Sequence, residues 1–251
     1  MKKILLLLLF NTLGLSIVYC QNYELEYEFR NHITVFNKTK IYVANLLYNK
    51  KQDKSLYTVE KKMKNTKANS LDDNTIVLSE KNIDDELVYN DFKDSITIIQ
   101  EQVDIEMFLF KEKTPKIDWI ILDETKKENN LNLRKATTSF RGRNYTVWYS
   151  MDIPITVGPW KFNGLPGAIV SIEEDKKRYS WILKSFKKSE DKLIENPIEN
   201  TSYLLKDIKD YPILKFETSE RVKNKLREID SNFTFPKKER LDIELIFEWE
   251  K

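Results

Sequence analysis

Polar and apolar positions along this chain alternate far more often than they recur at helical spacing. Tyr23, Leu25, Tyr27 and Phe29 interleave with Glu24, Glu26, Glu28 and Arg30, which predicts a strand with one wet face, continuing through Ile33–Phe36. Asn37–Lys40 reads as a turn into a second strand, Ile41–Tyr48, and Ser55–Glu60 as a third. Lys61–Asn74 is polar, rich in Lys and Asn and aperiodic, so a mobile loop is expected there. Thr75–Ser79, Glu86–Asn90, Ser95–Gln100, Val103–Lys111 and Ile117–Leu122 follow as short strands, and Asp123–Asn132 is a polar stretch. Tyr145, Val147, Tyr149, Met151 and Ile153 then share one face of a longer strand, with Trp148 on the other. Ala168–Glu173 and Tyr179–Phe186 read as strands joined by the charged turn Glu174–Lys177.

Two later stretches, Asn196–Asp210 and Glu217–Asp230, space their apolar residues closer to a helix, with Asn200 and Thr218 as N-caps. Leu241, Ile243, Leu245, Phe247 and Trp249 alternate with Asp242, Glu244 and Glu248, which predicts a last strand able to pair with the first. The sum is a mainly β, β-rich α+β chain: a curved antiparallel sheet or half-barrel with a few helices in its C-terminal third.

Backbone punctuation is concentrated in one place. The chain has 5 Gly and 7 Pro. Ile153–Ile172 holds Gly158, Gly164 and Gly167 together with Pro154, Pro159 and Pro166. Leu165-Pro166-Gly167-Ala168 fits a type II turn, with Pro second and Gly third, and Gly158-Pro159 gives a further change of direction. Between them Trp160 and Phe162 alternate with Lys161 and Asn163. These aromatics are either the core of a corner between strands or a preorganised loop at a pocket mouth or partner surface. In the second case the binding candidates are Trp148, Trp160, Phe162 and Leu165, with Arg141 and Arg143 as a polar, anion-contacting rim. Gly158, Pro159, Gly164, Pro166 and Gly167 then shape the turn.

Lys2 and Lys3 followed by the short apolar run Ile4–Phe10 predict a signal peptide over residues 1–20, cleaved near Cys20 and Gln21. Lipidation of Cys20 is the lesser alternative, because Tyr19 stands where a small residue is wanted. Residues 21–251 are then expected as one domain, exported to the periplasm or outer membrane and without a transmembrane span. The sole Cys leaves with the leader, and the 42 basic residues fall to 40, level with the 40 acidic ones. A charge of about zero gives no field that would favour nucleic acid.

His32 is the one histidine, with no HExxH or His/Cys cluster, so no metal site or catalytic triad is expected. Gly158–Gly164 lacks the GK[ST] ending of a phosphate-binding loop, and no cofactor is expected. No catalytic residue is identified, although carboxylate-only hydrolysis remains open in a chain with 40 acids.

Arg134-Lys135-Ala136, Phe140-Arg-Gly-Arg143, Trp148-Tyr149, Ile153-Pro154, Gly158-Pro159, Lys161-Phe162 and Gly164-Leu-Pro-Gly167 occur in order at fixed spacing. This run resembles the signature of the GLPGLI family over about Leu133–Lys184, with Ala168 where the family name has leucine. The resemblance implies a secreted or envelope protein of Gram-negative bacteria; the family has no established activity or site residues to carry over. The leading expectation is a non-enzymatic binding or accessory module, taking an apolar, lipid-like or amphipathic ligand or an outer-membrane or periplasmic protein. A carboxylate-dependent hydrolase and a purely structural envelope protein are the alternatives.

Overall fold

The alternation at Tyr23–Phe29 is the inner face of a rolled sheet: all four aromatic or aliphatic side chains are buried in one core, while the glutamates between them face outward. The structure, a computed structural model, describes residues 22–33, 37–60, 86–103, 106–189, 192–217, 224, 227–228, 240 and 242–250. Its strands are β1 (Asn22–Ile33), β2 (Lys38–Asn49), β3 (Lys54–Glu60), β4 (Glu86–Asp91), β5 (Ile96–Val103) and β6 (Glu106–Lys113). They continue as β7 (Ile120–Glu128), β8 (Leu131–Phe140), β9 (Arg143–Ser150), β10 (Ala168–Glu174), β11 (Tyr179–Ser189) and β12 (Leu204–Asp207). One six-residue helix, α1 (Tyr211–Phe216), follows.

The twelve strands form one open sheet in the order β12-β6-β5-β4-β3-β2-β1-β11-β10-β9-β8-β7. Neighbours are antiparallel except the parallel pair β12–β6. Hydrogen bonding does not close it, yet side chains meet across the gap. Glu112 on β6 touches Arg141, in the turn between β8 and β9, at 2.5 Å. On a flat sheet, strands eight or nine places apart would lie roughly 40 Å from one another at about 4.8 Å per step. The sheet therefore curls until its two arms touch, forming a bowl. A second, smaller core of Tyr89, Ile98, Leu109 and Ile194 lies on the opposite face of β4–β6, where residues 192–203 cross it.

Several local expectations are corrected. Leu131–Phe140, unassigned from its pattern, is β8, and β7 runs through most of the polar stretch to Glu128. The first strand ends at Ile33 and the second begins at Lys38, inside the expected turn. Asn196–Asp210 is not a helix. Asn196 caps a short 3-10 turn at Pro197–Asn200, and Leu204–Asp207 instead adds to the free edge of β6. Satisfying an open sheet edge outweighs a weak helical period. Leu241–Trp249 is not the last strand either, since both edges of β1 are already taken by β2 and β11. Its described part, Asp242–Glu250, is irregular and ends in a 3-10 turn at Glu248–Glu250. The expected loop Lys61–Asn74 and strand Thr75–Ser79 lie outside the described residues, as does most of Glu217–Asp230.

Candidate functional site

The site begins with a turn of two residues. β8 and β9 are joined by Arg141-Gly142, with Phe140 paired to Arg143. Both turn residues have positive φ, 45° and 83°, as a type I′ hairpin requires. Glycine meets that demand at 142 and also leaves room for a neighbour: a Cβ there would lie 3.0 Å from Leu245 Cβ. The neighbour is the C-terminal segment. Leu245 and Ile246 donate their N–H groups to the Arg141 carbonyl at 2.9 and 3.3 Å, and Arg143 Nε donates to the Ile243 carbonyl at 3.0 Å. Phe247, fully buried, lies 4.8 Å from the Arg141 guanidinium.

The glycine- and proline-rich segment packs inside the bowl. Gly158 N–H donates to the Phe162 carbonyl at 2.8 Å and Phe162 N–H to the Pro159 carbonyl at 3.1 Å, with Val157 bridging Asn163. Trp160 holds a φ of 54°, a left-handed conformation rare for an aromatic residue. Gly164 has φ 92°, whereas Gly167 is not left-handed, so Leu165–Ala168 is no type II turn. Gly167 serves close approach instead: a Cβ there would stand 2.2 Å from the Ser150 carbonyl oxygen. Phe162 meets Tyr145, Trp181, Trp160 and Phe140 edge to face, at centroid distances of 4.9–6.3 Å.

This loop carries Lys161 to the seam of the bowl. Its ammonium, with 0% side-chain exposure, donates to both Glu244 oxygens at 2.7 and 2.8 Å. It also stands 2.7 Å from Glu112 Oε1, an ion-pair contact outside hydrogen-bonding angles. Arg141 bonds the same two carboxylates, Glu112 and Glu244. Two cations and two anions thus form a closed ring joining β6, the β8–β9 turn, the loop and the C-terminal segment. Burial works against the charge on Glu112, but Lys161 and Arg141 outweigh it and hold the carboxyl below its usual range. Burial likewise opposes the Arg141 charge, and Glu244 and Glu112 more than restore it. Arg143 makes a separate buried pair with Glu174 at 2.9 Å.

Beside the ring lies a narrow cleft of about 80 Å³. Phe29, Tyr57, Trp160, Tyr179 and Trp181 line it together with Glu86, Val88, Ile99 and Glu101 of β4 and β5. Phe29 stacks on Trp181 at 4.8 Å, and Trp181 Nε1 donates to Tyr57 Oη at 2.8 Å. Asp242 reaches in from the C-terminal segment. Lys215 of α1 donates to Glu101 at 2.6 Å and to the Gln102 carbonyl at 3.1 Å, and lies 3.6 Å from Asp242. Tyr211 Oη donates to Asp242 at 3.0 Å. Burial first, then the neighbouring Glu86 and Asp242 charges, pushes Glu101 up to about 7 despite Lys215.

Of the residues singled out from sequence, Arg141, Trp160 and Phe162 converge on this interior, with Leu165 buried in the same core. Trp160 also lines the cleft, while Arg143 grips the C-terminal segment. Trp148 lies apart, 4.5 Å beneath the Lys126 ammonium on the outer face of β9. Glu101, Glu112, Lys161, Glu174, Lys215, Asp242 and Glu244 were not singled out. Strand parity could have found Glu112, in step with Phe108 and Phe110, and Glu101, in step with Ile99 and Val103. Among the described residues, no group of three His, Cys, Asp or Glu is arranged to hold a metal ion. No helix among them is long and apolar enough to cross a membrane.

The fold and its interior define a class, the open-sheet β-bowl clasped by side chains. The chain belongs to the family described as protein of unknown function (Porph_ging), matched over residues 32–171. That description does not carry the GLPGLI name, and the match reaches further toward the N-terminus than the signature run. PNGF-II, in its C2 and P21 crystal forms, shares the fold at TM-scores of 0.51 and 0.50, with 21% and 20% identity. The alignments cover 77% and 78% of this chain and 32% and 33% of that one, so the chain spans about a third of PNGF-II. An uncharacterized conserved protein from Thermus thermophilus, 6% identical, aligns over 75% of this chain and 91% of its own at a TM-score of 0.42, too distant to bear on the fold. No curated protein matches the chain.

Proposed function

We propose that the chain is an exported, non-enzymatic binding or accessory module of the cell envelope, which holds one end of an amphipathic ligand in the cleft beside Trp160. The observation that carries this reading is the cleft itself, where aromatic walls meet Glu101 and Asp242. Its size narrows the ligand. Pockets that engulf a small molecule run to about 300–1,000 Å³. Here Trp160, Phe162 and Trp181 fill the bowl, and about 80 Å³ remains. A lipid chain is not swallowed; a small terminal group is. The carboxylates also disfavour a fatty acid, whose own charge they would repel.

Mass spectrometry of material extracted from the protein purified from its own envelope tests this reading. A recurrent amphipathic molecule is expected, lost when Glu86→Trp fills the cleft. Identical extracts from both proteins would rule the cleft out. A carboxylate-dependent hydrolase is the second reading, favoured by Glu101 and Asp242 converging on Lys215. In that case turnover of an ester or glycoside disappears in Glu101→Gln.

A further inference from the structure

We propose that the cleft selects a primary alkylammonium group, an inference that rests on reading the cleft as a binding site. The carboxylates of Glu86, Glu101 and Asp242 line it, alongside the donor-bearing side chains of Tyr57, Gln100, Trp160 and Tyr179. Asn31 lines the cleft, and its Oδ1, shut away from solvent, accepts no hydrogen bond among the described residues. A buried acceptor without a donor is costly, and a ligand N–H would relieve it. Among the described residues, Glu101 and Asp242 both pair with Lys215, and Asp242 also accepts from Tyr211 Oη. The side-chain donor of Trp181 is already committed to Tyr57.

The alternatives fit less well. An anion meets Glu101 and Asp242. A neutral apolar group leaves Asn31 Oδ1 without a donor. A metal ion lacks a converging ligand set among the described residues. Lys215 shows what the site accepts, since its own ammonium donates to Glu101 and the Gln102 carbonyl. The remaining space of about 80 Å³ admits a CH2–NH3+ end.

The groups that face Glu101 are Glu86 from β4, Lys215 from α1 and Asp242 from the C-terminal segment. An ammonium binds the ionised carboxylate, so affinity should rise as pH passes upward through the range in which Glu101 loses its proton. The test is an NMR titration of the full chain at constant ionic strength, following the Trp181 indole signal with n-butylammonium, 1-butanol and butyrate. Saturable binding of n-butylammonium is expected, at least about tenfold tighter than 1-butanol, with none by butyrate. Its affinity should increase severalfold from pH 6 to pH 8. Glu101→Gln and Asp242→Asn should each weaken it by about tenfold, with circular dichroism confirming that both variants are folded. If 1-butanol binds as tightly as n-butylammonium, the cation selectivity is overturned while the cleft stands as a binding site. If none of the probes shifts the indole, or Glu86→Trp binds them unchanged, both readings fall.

Discussion

Replacing Lys161 with Met tests whether the buried ionic ring holds the open sheet together. The substitution keeps an unbranched side chain of similar length and removes only the ammonium. What remains is Glu112 and Glu244, both buried, facing Arg141 alone. Removing one partner from a buried ion pair costs about 3–5 kcal/mol, because the uncompensated charge stays buried. For a chain of this length about 1 kcal/mol moves the melting temperature by roughly 2–4 °C. Lys161→Met should therefore lower it by roughly 6–20 °C. Urea unfolding followed by tryptophan fluorescence gives the free energy directly. Adding Glu244→Gln restores the balance of charge, so the double variant should be less destabilised than the sum of the singles by at least about 1 kcal/mol. A loss below about 1 kcal/mol for Lys161→Met, or strict additivity in the cycle, would refute the clasp.

Other expectations follow from single atoms. Gly167→Ala places a methyl group against the Ser150 backbone at 2.2 Å, so a loss of at least about 3 kcal/mol or failure to fold is expected in the same urea assay. Glu112 has a folded-state pKa below its ordinary value of 4.5, so its contribution is present above that value and lost as pH falls below it. Calorimetric melts from pH 7 to pH 3 should show the melting temperature dropping below about pH 4.5, with the drop reduced in Glu112→Gln. Glu101 has the opposite sign: a pKa raised from 4.5 to about 7 means that ionising it between those values costs stability. Relative to the natural chain, Glu101→Gln should gain up to about 2–3 kcal/mol between pH 5 and pH 8, and an unchanged difference would contradict the burial of that carboxylate.

The strands were legible wherever one face is dry and the other wet. β1 follows its alternation from Tyr23 to Arg30 and β9 from Arg143 to Tyr149, although β9 ends at Ser150 and Met151, expected on its buried face, is 57% exposed. β8 was missed because Arg134, Lys135 and the threonines beside them give no apolar period, although Leu133, Ala136 and Phe140 are buried. The C-terminal segment misled for a different reason. Its apolar and acidic residues alternate as a strand would, yet Glu244, expected on the wet face, is buried while Ile243, Leu245 and Trp249 are only partly so. That reversal comes from Arg141 and Lys161, which lie 103 and 83 residues before Glu244 and make its burial favourable. No local pattern contains such information. The glycine-rich loop was legible as a special backbone path, but not its reason: Gly167 and Gly142 answer to the Ser150 backbone and to Leu245. The cleft was the least legible part, since Glu101, Lys215 and Asp242 come together only through the curl of the sheet.

Native-state hydrogen exchange at three amides reads out the central claim, that the signature loop and the C-terminal segment form the closed interior of the bowl. Gly158, Phe162 and Leu245 donate to Phe162, Pro159 and Arg141 carbonyls inside the clasp. If the clasp holds loop, turn and segment as one unit, these amides open only with global unfolding, at the same free energy as the central strands β1 and β11. Exchange of Phe162 or Leu245 by local opening, while β1 and β11 stay protected, would show a mobile loop on a finished sheet and contradict the account.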